Sequence, residues 1–311
     1  MTTAVSTDSA KRALFERLID DASLFPPAAL PMRRALRAHA RHRESAYAWV
    51  GGSFVVPASR LAELAAAREP SVPLTLSVIL DAAQAAKGDT VRADLDRVAR
   101  ATTDGVTVSA FEMKPQAAAA GSLDRVVAAI AEHTTAAHVA LWYEIPYSGG
   151  WSGPPDEALA EIAAARQSAP ANVTLGAKLR CGGLAPGTTP SVDDIAAFLV
   201  AAHAHDVPWK ATAGLHHPVR GSHDGVPMHG FLNLFVAGVA LHAGALDAGR
   251  IAAVLGEEDA REFVVDPTHI GWDGVRVDAD AVGAARERGV AFGSCSFAEP
   301  VDDLRELGLI L

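Results

Sequence analysis

Lysine is scarce in this chain. Of 27 basic residues only five are lysine (Lys11, Lys87, Lys114, Lys178 and Lys210), and the rest are arginine. Cysteine is scarcer still. Cys181 and Cys295 are too few for a disulfide framework, so a reducing cytoplasm is the expected setting. No basic run accompanies the net charge of -10, which argues against a nucleic-acid partner. No apolar run approaches the roughly 18–20 residues of a membrane span. The segment from Met1 to Lys11 is polar, without the apolar stretch of a secretory signal. Neither a P-loop nor a Gly-x-Gly-x-x-Gly after a first strand is present, so no cofactor is expected.

What is present is an alternation. Short apolar runs alternate with Ala/Arg/Glu-rich amphipathic segments, the pattern of βα units. Strands are expected at 17–20, 53–56, 74–80, 106–112, 138–145, 173–179, around 208–213 and at 290–295; the first fits a helix over 11–20 equally well. Helices are expected at 32–43, 59–68 with Ser59 as cap, about 89–101, 123–133, 156–167, 229–243 and 300–307. Another should begin at Ser191, with Asp194 completing a capping box. An irregular insertion, about 244–289, separates the seventh strand's helix from the last strand. Eight strands with eight following helices predict a (β/α)8 TIM-type barrel, with residues 1–311 as one domain.

Alternation along each strand sorts its charges. Lys178 and Arg180 share a parity opposite to Ala177 and Leu179, and Lys210 and Thr212 share one opposite to Trp209 and Ala211. Glu112 opposes Phe111 and Met113, while Glu144 opposes Tyr143 and Ile145. All these charges fall at C-terminal strand ends, where barrel enzymes place their chemistry. A structural ion network closing the barrel mouth would have the same pattern, because buried charges must be paired.

Lysine in an arginine-rich chain suggests chemistry that arginine cannot perform. A desolvated amine beside other cations can lose its proton and attack a carbonyl. Lys210 is therefore the candidate nucleophile, with Lys178 lowering its pKa and Glu112 or Glu144 moving protons. Arg180, Thr212, Ser294, Asp20, His216, His217 and the backbone at Gly183 and Gly214 are candidate binding groups for a small, anionic oxo-substrate. A rival reading has His216, His217 and Glu144 holding a divalent metal for hydrolysis or isomerisation. A third is a non-catalytic small-molecule-binding barrel. Cys295 with a histidine base is a further nucleophile to weigh against an inert thiol. The apolar stretch Phe231 to Leu241 fits either an ordinary barrel helix or the interface of a homo-oligomer.

Two resemblances bear on these residues. The segment Lys210-Ala211-Thr212-Ala213-Gly214 resembles the Lys-Thr-Ser-Thr-Gly strand of deoxyribose-phosphate aldolases, which are Schiff-base barrels. That resemblance implies lyase chemistry with Lys210 as nucleophile and Lys178 as its activator. Over most of its length the chain resembles a family of (β/α)8-like proteins with no known activity. The shared features are Leu24-Phe25-Pro26-Pro27 and the segments 178–183, 210–218, 229–234 and 293–297. This second resemblance implies a fold and no chemistry.

Overall fold

Runs such as Phe54-Val55-Val56 and Val139-Ala140-Leu141 are apolar on both strand faces, as suits a parallel sheet covered on both sides. The computed structural model describes residues 9–81, 90–103, 105–114, 122–134, 138–147, 150–151, 154–183, 187–223 and 225–310. The runs form β1 (Ile19–Asp21), β2 (Gly51–Pro57), β3 (Leu74–Ile79), β4 (Val106–Met113), β5 (Val139–Glu144), β6 (Val173–Arg180) and β7 (Trp209–Thr212). A hairpin follows, β8 (Gly221–His223) and β9 (Val226–Met228). Next come β10 (Phe263–Val265), β11 (His269–Trp272), β12 (Val277–Asp278) and finally β13 (Gly289–Ser294). Eight of these close into a parallel barrel, in the order β1-β13-β7-β6-β5-β4-β3-β2. The chain is thus a (β/α)8 barrel, as the alternation predicts.

The helices are α1 (Ser9–Phe15), α2 (Met32–Glu44), α3 (Leu61–Ala67), α4 (Thr90–Ala101), α5 (Ser122–His133) and α6 (Pro155–Ser168). They continue with α7 (Val192–Ala204), α8 (Phe231–His242), α9 (Ile251–Gly256), α10 (Ala279–Arg286) and α11 (Ala298–Glu306). The capping box of α7 forms, with Ser191 Oγ accepting from Asp194 N and Asp194 accepting from Ser191 N. Ser59, by contrast, caps nothing. It sits inside a 3₁₀ turn (Ala58–Arg60), and its hydroxyl and backbone N–H both bond to Asp81.

Both alternatives at the N-terminus occur in succession. α1 comes first, then a turn through Arg17 with φ of 52°, then the short β1. The apolar run is too short to continue as helix and too buried to be loop. The insertion holds more order than its irregular pattern suggests, since β10, β11 and β12 form an antiparallel sheet. Its consequence lies at α8. Residues Phe231 to Ala237 and Val239 to Leu241 are buried within this one chain, where α9, α10 and β11 pack against the helix. The apolar stretch is covered by the insertion, so its hydrophobicity needs no partner subunit. Asn233 ties the two parts together, accepting from Arg220 N and donating to Val254 O and Glu257 O.

Among the described residues, no helix is long and apolar enough to cross a membrane. The expectation about a signal segment concerns residues 1–11, of which 1–8 lie outside the described residues.

Candidate functional site at the barrel mouth

The large outward residues of β7 and β13 pack on a helix. Trp209 meets Phe235 of α8, and Phe292 stacks on Phe231 of the same helix. The opposite parity of β7 and its neighbours therefore turns inward, and it carries the charges. Glu144 lies level with Lys178, and Lys178 with Lys210, on adjacent strands. Beneath them Trp142, of the same parity as Glu144, lies over the bare backbone of Gly176 and fills the barrel.

The inward groups form one chain of alternating charge. Lys210 Nζ donates to Asp20 Oδ2 at 2.6 Å and to Glu112 Oε1 at 2.5 Å. Lys178 Nζ donates to Glu112 Oε2 at 3.0 Å and pairs with Glu144 Oε2 at 2.9 Å. Arg180 Nε donates to Glu144 Oε1 at 3.1 Å, and its Nη1 donates to Gly182 O at 3.2 Å. Lys114, half exposed, stands 3.9 Å from the same Glu144 oxygen. Asp20, Glu112, Glu144, Lys178 and Lys210 are all buried. Such burial is tolerable only because every charge has an opposite neighbour.

The electrostatics correct one expectation. Burial pushes the Lys210 ammonium toward neutrality, but the charges and hydrogen bonds of Asp20 and Glu112 outweigh it and hold the pKa above the usual lysine range. Burial acts on Lys178 in the same way, and Glu112 and Glu144 outweigh it there too. Lys178 therefore does not render Lys210 neutral, because the Glu112 carboxylate stands between the two amines. In the other direction, burial raises the carboxyls, but Lys210 and Lys178 hold Glu112 far below the usual carboxylate range. Lys178, Arg180 and Lys114 do the same for Glu144. Glu112, Glu144, Lys178 and Lys210 thus hold one another in their charged forms.

Two partners of this chain went unnoticed in the sequence. Ser77 Oγ donates to Glu112 Oε1 at 2.7 Å. The signal was there, as a fully buried hydroxyl of the same strand parity as Ile79, within the run from Leu74 to Ile79. Gly52 and Ser53 cradle Asp20, whose Oδ1 accepts from Ser53 N at 2.5 Å. A Cβ at Gly52 would lie 2.1 Å from that same oxygen, so only glycine leaves room for the carboxylate.

The remaining predicted residues lie elsewhere or serve the backbone. Thr212 is level with Arg180 and with Gly293, at the rim above the lysines. Gly214 has φ of 70°, and a Cβ on it would come within 2.8 Å of Gly182 Cα. The chain segments leaving β6 and β7 thus touch backbone to backbone, which explains both glycines by packing. Gly183 is pressed against Thr188. Ser294 shares the outward parity of Phe292, and its hydroxyl donates to Ser296 O, away from the lysines. His216 Nδ1 pairs with Glu299 Oε2 at 2.8 Å and His217 Nδ1 with Asp303 Oδ2 at 2.6 Å, both on α11. His217 also stacks on His223. Glu144 is bound up with cations instead, so the metal set His216, His217 and Glu144 is not assembled. Among the described residues, no group of three or more His, Cys, Asp or Glu side chains is placed to hold a metal ion. Burial raises the thiol pKa of both Cys181 and Cys295, the reverse of nucleophile activation.

Fold and site together define a class: a (β/α)8 barrel with an ionised, inward-facing cluster at the C-terminal strand ends, an arrangement suited to an enzyme or a small-molecule binder. Comparison of the chain with protein-family models, with curated proteins and with solved structures returns no match. Its resemblances rest on the motifs quoted above, and its chemistry must be read from its own geometry.

Proposed function

We propose that the barrel mouth is the active site of a lyase that forms an imine between Lys210 and the carbonyl carbon of a small anionic oxo-compound. One observation carries the proposal. Two buried lysines and three buried carboxylates from five strands stand in continuous contact where barrel enzymes react their substrates.

The high pKa of Lys210 defines what the site must do. An ordinary lysine is neutral in only about one molecule in 10³ at pH 7, and this one less often. Asp20 and Glu112 already touch its Nζ, so either can take the proton in one short transfer. The freed lone pair attacks the carbonyl carbon, and the oxygen gains that proton. Loss of water then leaves a protonated imine. This iminium carries the same unit charge as the ammonium it replaces, between the same two carboxylates. The field that opposes deprotonation therefore stabilises the iminium as it does the resting ammonium, so the intermediate is not penalised relative to the resting site. For cleavage, Glu144 or Glu112 removes a proton from a β-hydroxyl, the carbon–carbon bond breaks, and its electrons neutralise the iminium as an enamine. Protonation at carbon and hydrolysis return Lys210. Lys178 keeps Glu112 and Glu144 ionised and oriented throughout.

A second reading is favoured by the mutual pairing of the two lysines with Glu112 and Glu144: a barrel that binds a small anion without reacting with it. Borohydride reduction in the presence of small oxo-compounds, followed by peptide mass mapping, separates the two. A reduced adduct on Lys210, absent in Lys210→Arg, supports the imine. An adduct on Lys178 would exchange the roles of the lysines, and no adduct would favour the binder.

A further inference from the structure

Resting on the imine reading, we infer that the substrate is a monoanionic carboxylate such as a 2-oxo acid, and that phosphorylated sugars are excluded. The charge balance comes first. Lys114, Lys178, Arg180 and Lys210 face Asp20, Glu112 and Glu144, so four cations meet three carboxylates and one positive charge remains. Among the described residues, the other charged groups that follow barrel strands are held outside this chain of charges: Asp21 pairs with His39, Arg60 with Glu63 and Arg220 with Glu258, and Asp81 accepts from Ser59. Residues 145–154, 181–190 and 295–297, which follow β5, β6 and β13, contain no charged side chain, and residues 114–121 after β4 contain only Lys114. A phosphate dianion entering this mouth would leave a buried negative charge unpaired.

The second observation concerns backbone N–H groups. Barrels commonly seat phosphate at helix N-termini beyond the last strands, where such groups are open. Here several of them are taken by the chain itself. At the start of α8, Phe231 N donates to His217 O and Leu232 N to Pro218 O. At the start of α11, Glu299 N donates to Ser296 Oγ, and the Glu299 side chain adds a negative charge to that first turn. The first turn of α7 carries Asp193 and Asp194, with Asp194 N held by Ser191 Oγ. At three helix starts that follow late barrel strands the chain's own groups thus occupy N–H donors, and two of those starts carry acidic side chains in the first turn.

Arg180 is the group suited to the carboxylate. It sits at the rim level with Thr212, one inward position beyond Lys178, and its planar guanidinium matches a carboxylate edge. A 2-oxo acid held there directs its carbonyl inward toward the amines. Arg180 is thus assigned as a specificity-determining residue.

The test uses the full-length protein with four probes at equal concentration: pyruvate, 2-oxobutyrate, hydroxyacetone and dihydroxyacetone phosphate. Borohydride trapping is read by intact mass, and thermal shift is recorded without borohydride. The expected result is trapping of the two oxo acids and not of the phosphate ester. In Arg180→Gln, the ratio of oxo-acid to hydroxyacetone trapping falls about tenfold or more, as when a charged hydrogen bond is lost. If dihydroxyacetone phosphate is trapped as well as pyruvate, the carboxylate assignment falls and the imine stands. If nothing is trapped but pyruvate raises the melting temperature and the phosphate ester does not, the imine falls and the monoanion preference stands. If neither trapping nor a shift occurs, both fall.

Discussion

Removing the Lys210 ammonium while keeping its bulk gives the sharpest test of the ion chain. In Lys210→Met, Asp20 loses a partner at 2.6 Å and Glu112 loses one at 2.5 Å, and both stay in a buried site. Breaking a buried pair from one side costs about 3–5 kcal/mol, most of it the desolvation of what is left behind. Unfolding entropy of roughly 2.1 cal/mol/K per residue gives about 0.65 kcal/mol/K for a chain of 311 residues. The melting temperature should therefore fall by about 5–8 °C at pH 7. The pH dependence supplies the signature. In the native protein Glu112 has a depressed pKa, so its contribution is present above the unfolded carboxylate value and is lost as pH falls. In the variant, burial acts without the Lys210 charge and the carboxyls shift upward. Their penalty is then smallest at low pH and grows as pH rises through the raised value. The gap between native protein and variant should thus narrow from pH 7 to pH 5, measured by calorimetry at both. A loss below about 1 kcal/mol, or a gap that widens on acidification, would refute the account. Adding Asp20→Asn to Lys210→Met should restore part of the loss.

Three further outcomes follow from the backbone and the buried titratable groups. Gly214→Ala combines an unfavourable positive φ with a Cβ 2.8 Å from Gly182 Cα, and should cost about 2–4 kcal/mol in urea unfolding; a neutral result would mean the two segments are not in contact. Ala213 has φ of 60°, so Ala213→Gly should relieve about 1–2 kcal/mol of strain and give back less than 1 to chain entropy, a net gain seen as a higher urea midpoint. Burial holds the imidazoles of His42, His229 and His242 below the usual histidine range. The unfolded chain then binds more protons between about pH 6.5 and those depressed values, so stability should fall as pH drops from 7.5 to 5.5. A urea midpoint that rises over that interval would contradict the burial of these rings.

The barrel was legible because strand alternation and helix amphipathicity are local signals, and each βα unit repeats them. The inward placement of Glu112, Glu144, Lys178 and Lys210 followed from parity alone, since a two-residue period leaves only two faces. Their mutual neutralisation did not follow. Which carboxylate stands between two lysines depends on barrel closure and stagger, which bring Asp20 to Lys210 across 190 positions of sequence. Ser294 was misjudged for a related reason, because at the end of a short strand its parity depends on the register with β1 and β7. His216 and His217 looked available because α11, which supplies Glu299 and Asp303, lies more than 80 residues further on. The order inside the insertion was hidden by strands of only two to four residues, too short to show a period.

The backbone contact between Gly182 and Gly214 has a consequence for how this protein can change. Arg180 stands two residues before one glycine and Thr212 two residues before the other. A side chain or an inserted residue at either crossing would displace the partner segment and shift both rim groups together. Altered specificity should therefore be reached most readily from β4 and β5, through Lys114 and the segment after Glu144. The β6 and β7 exits behave as one inherited unit: a library that varies them independently should yield mostly misfolded chains, and one that varies them as matched pairs should not.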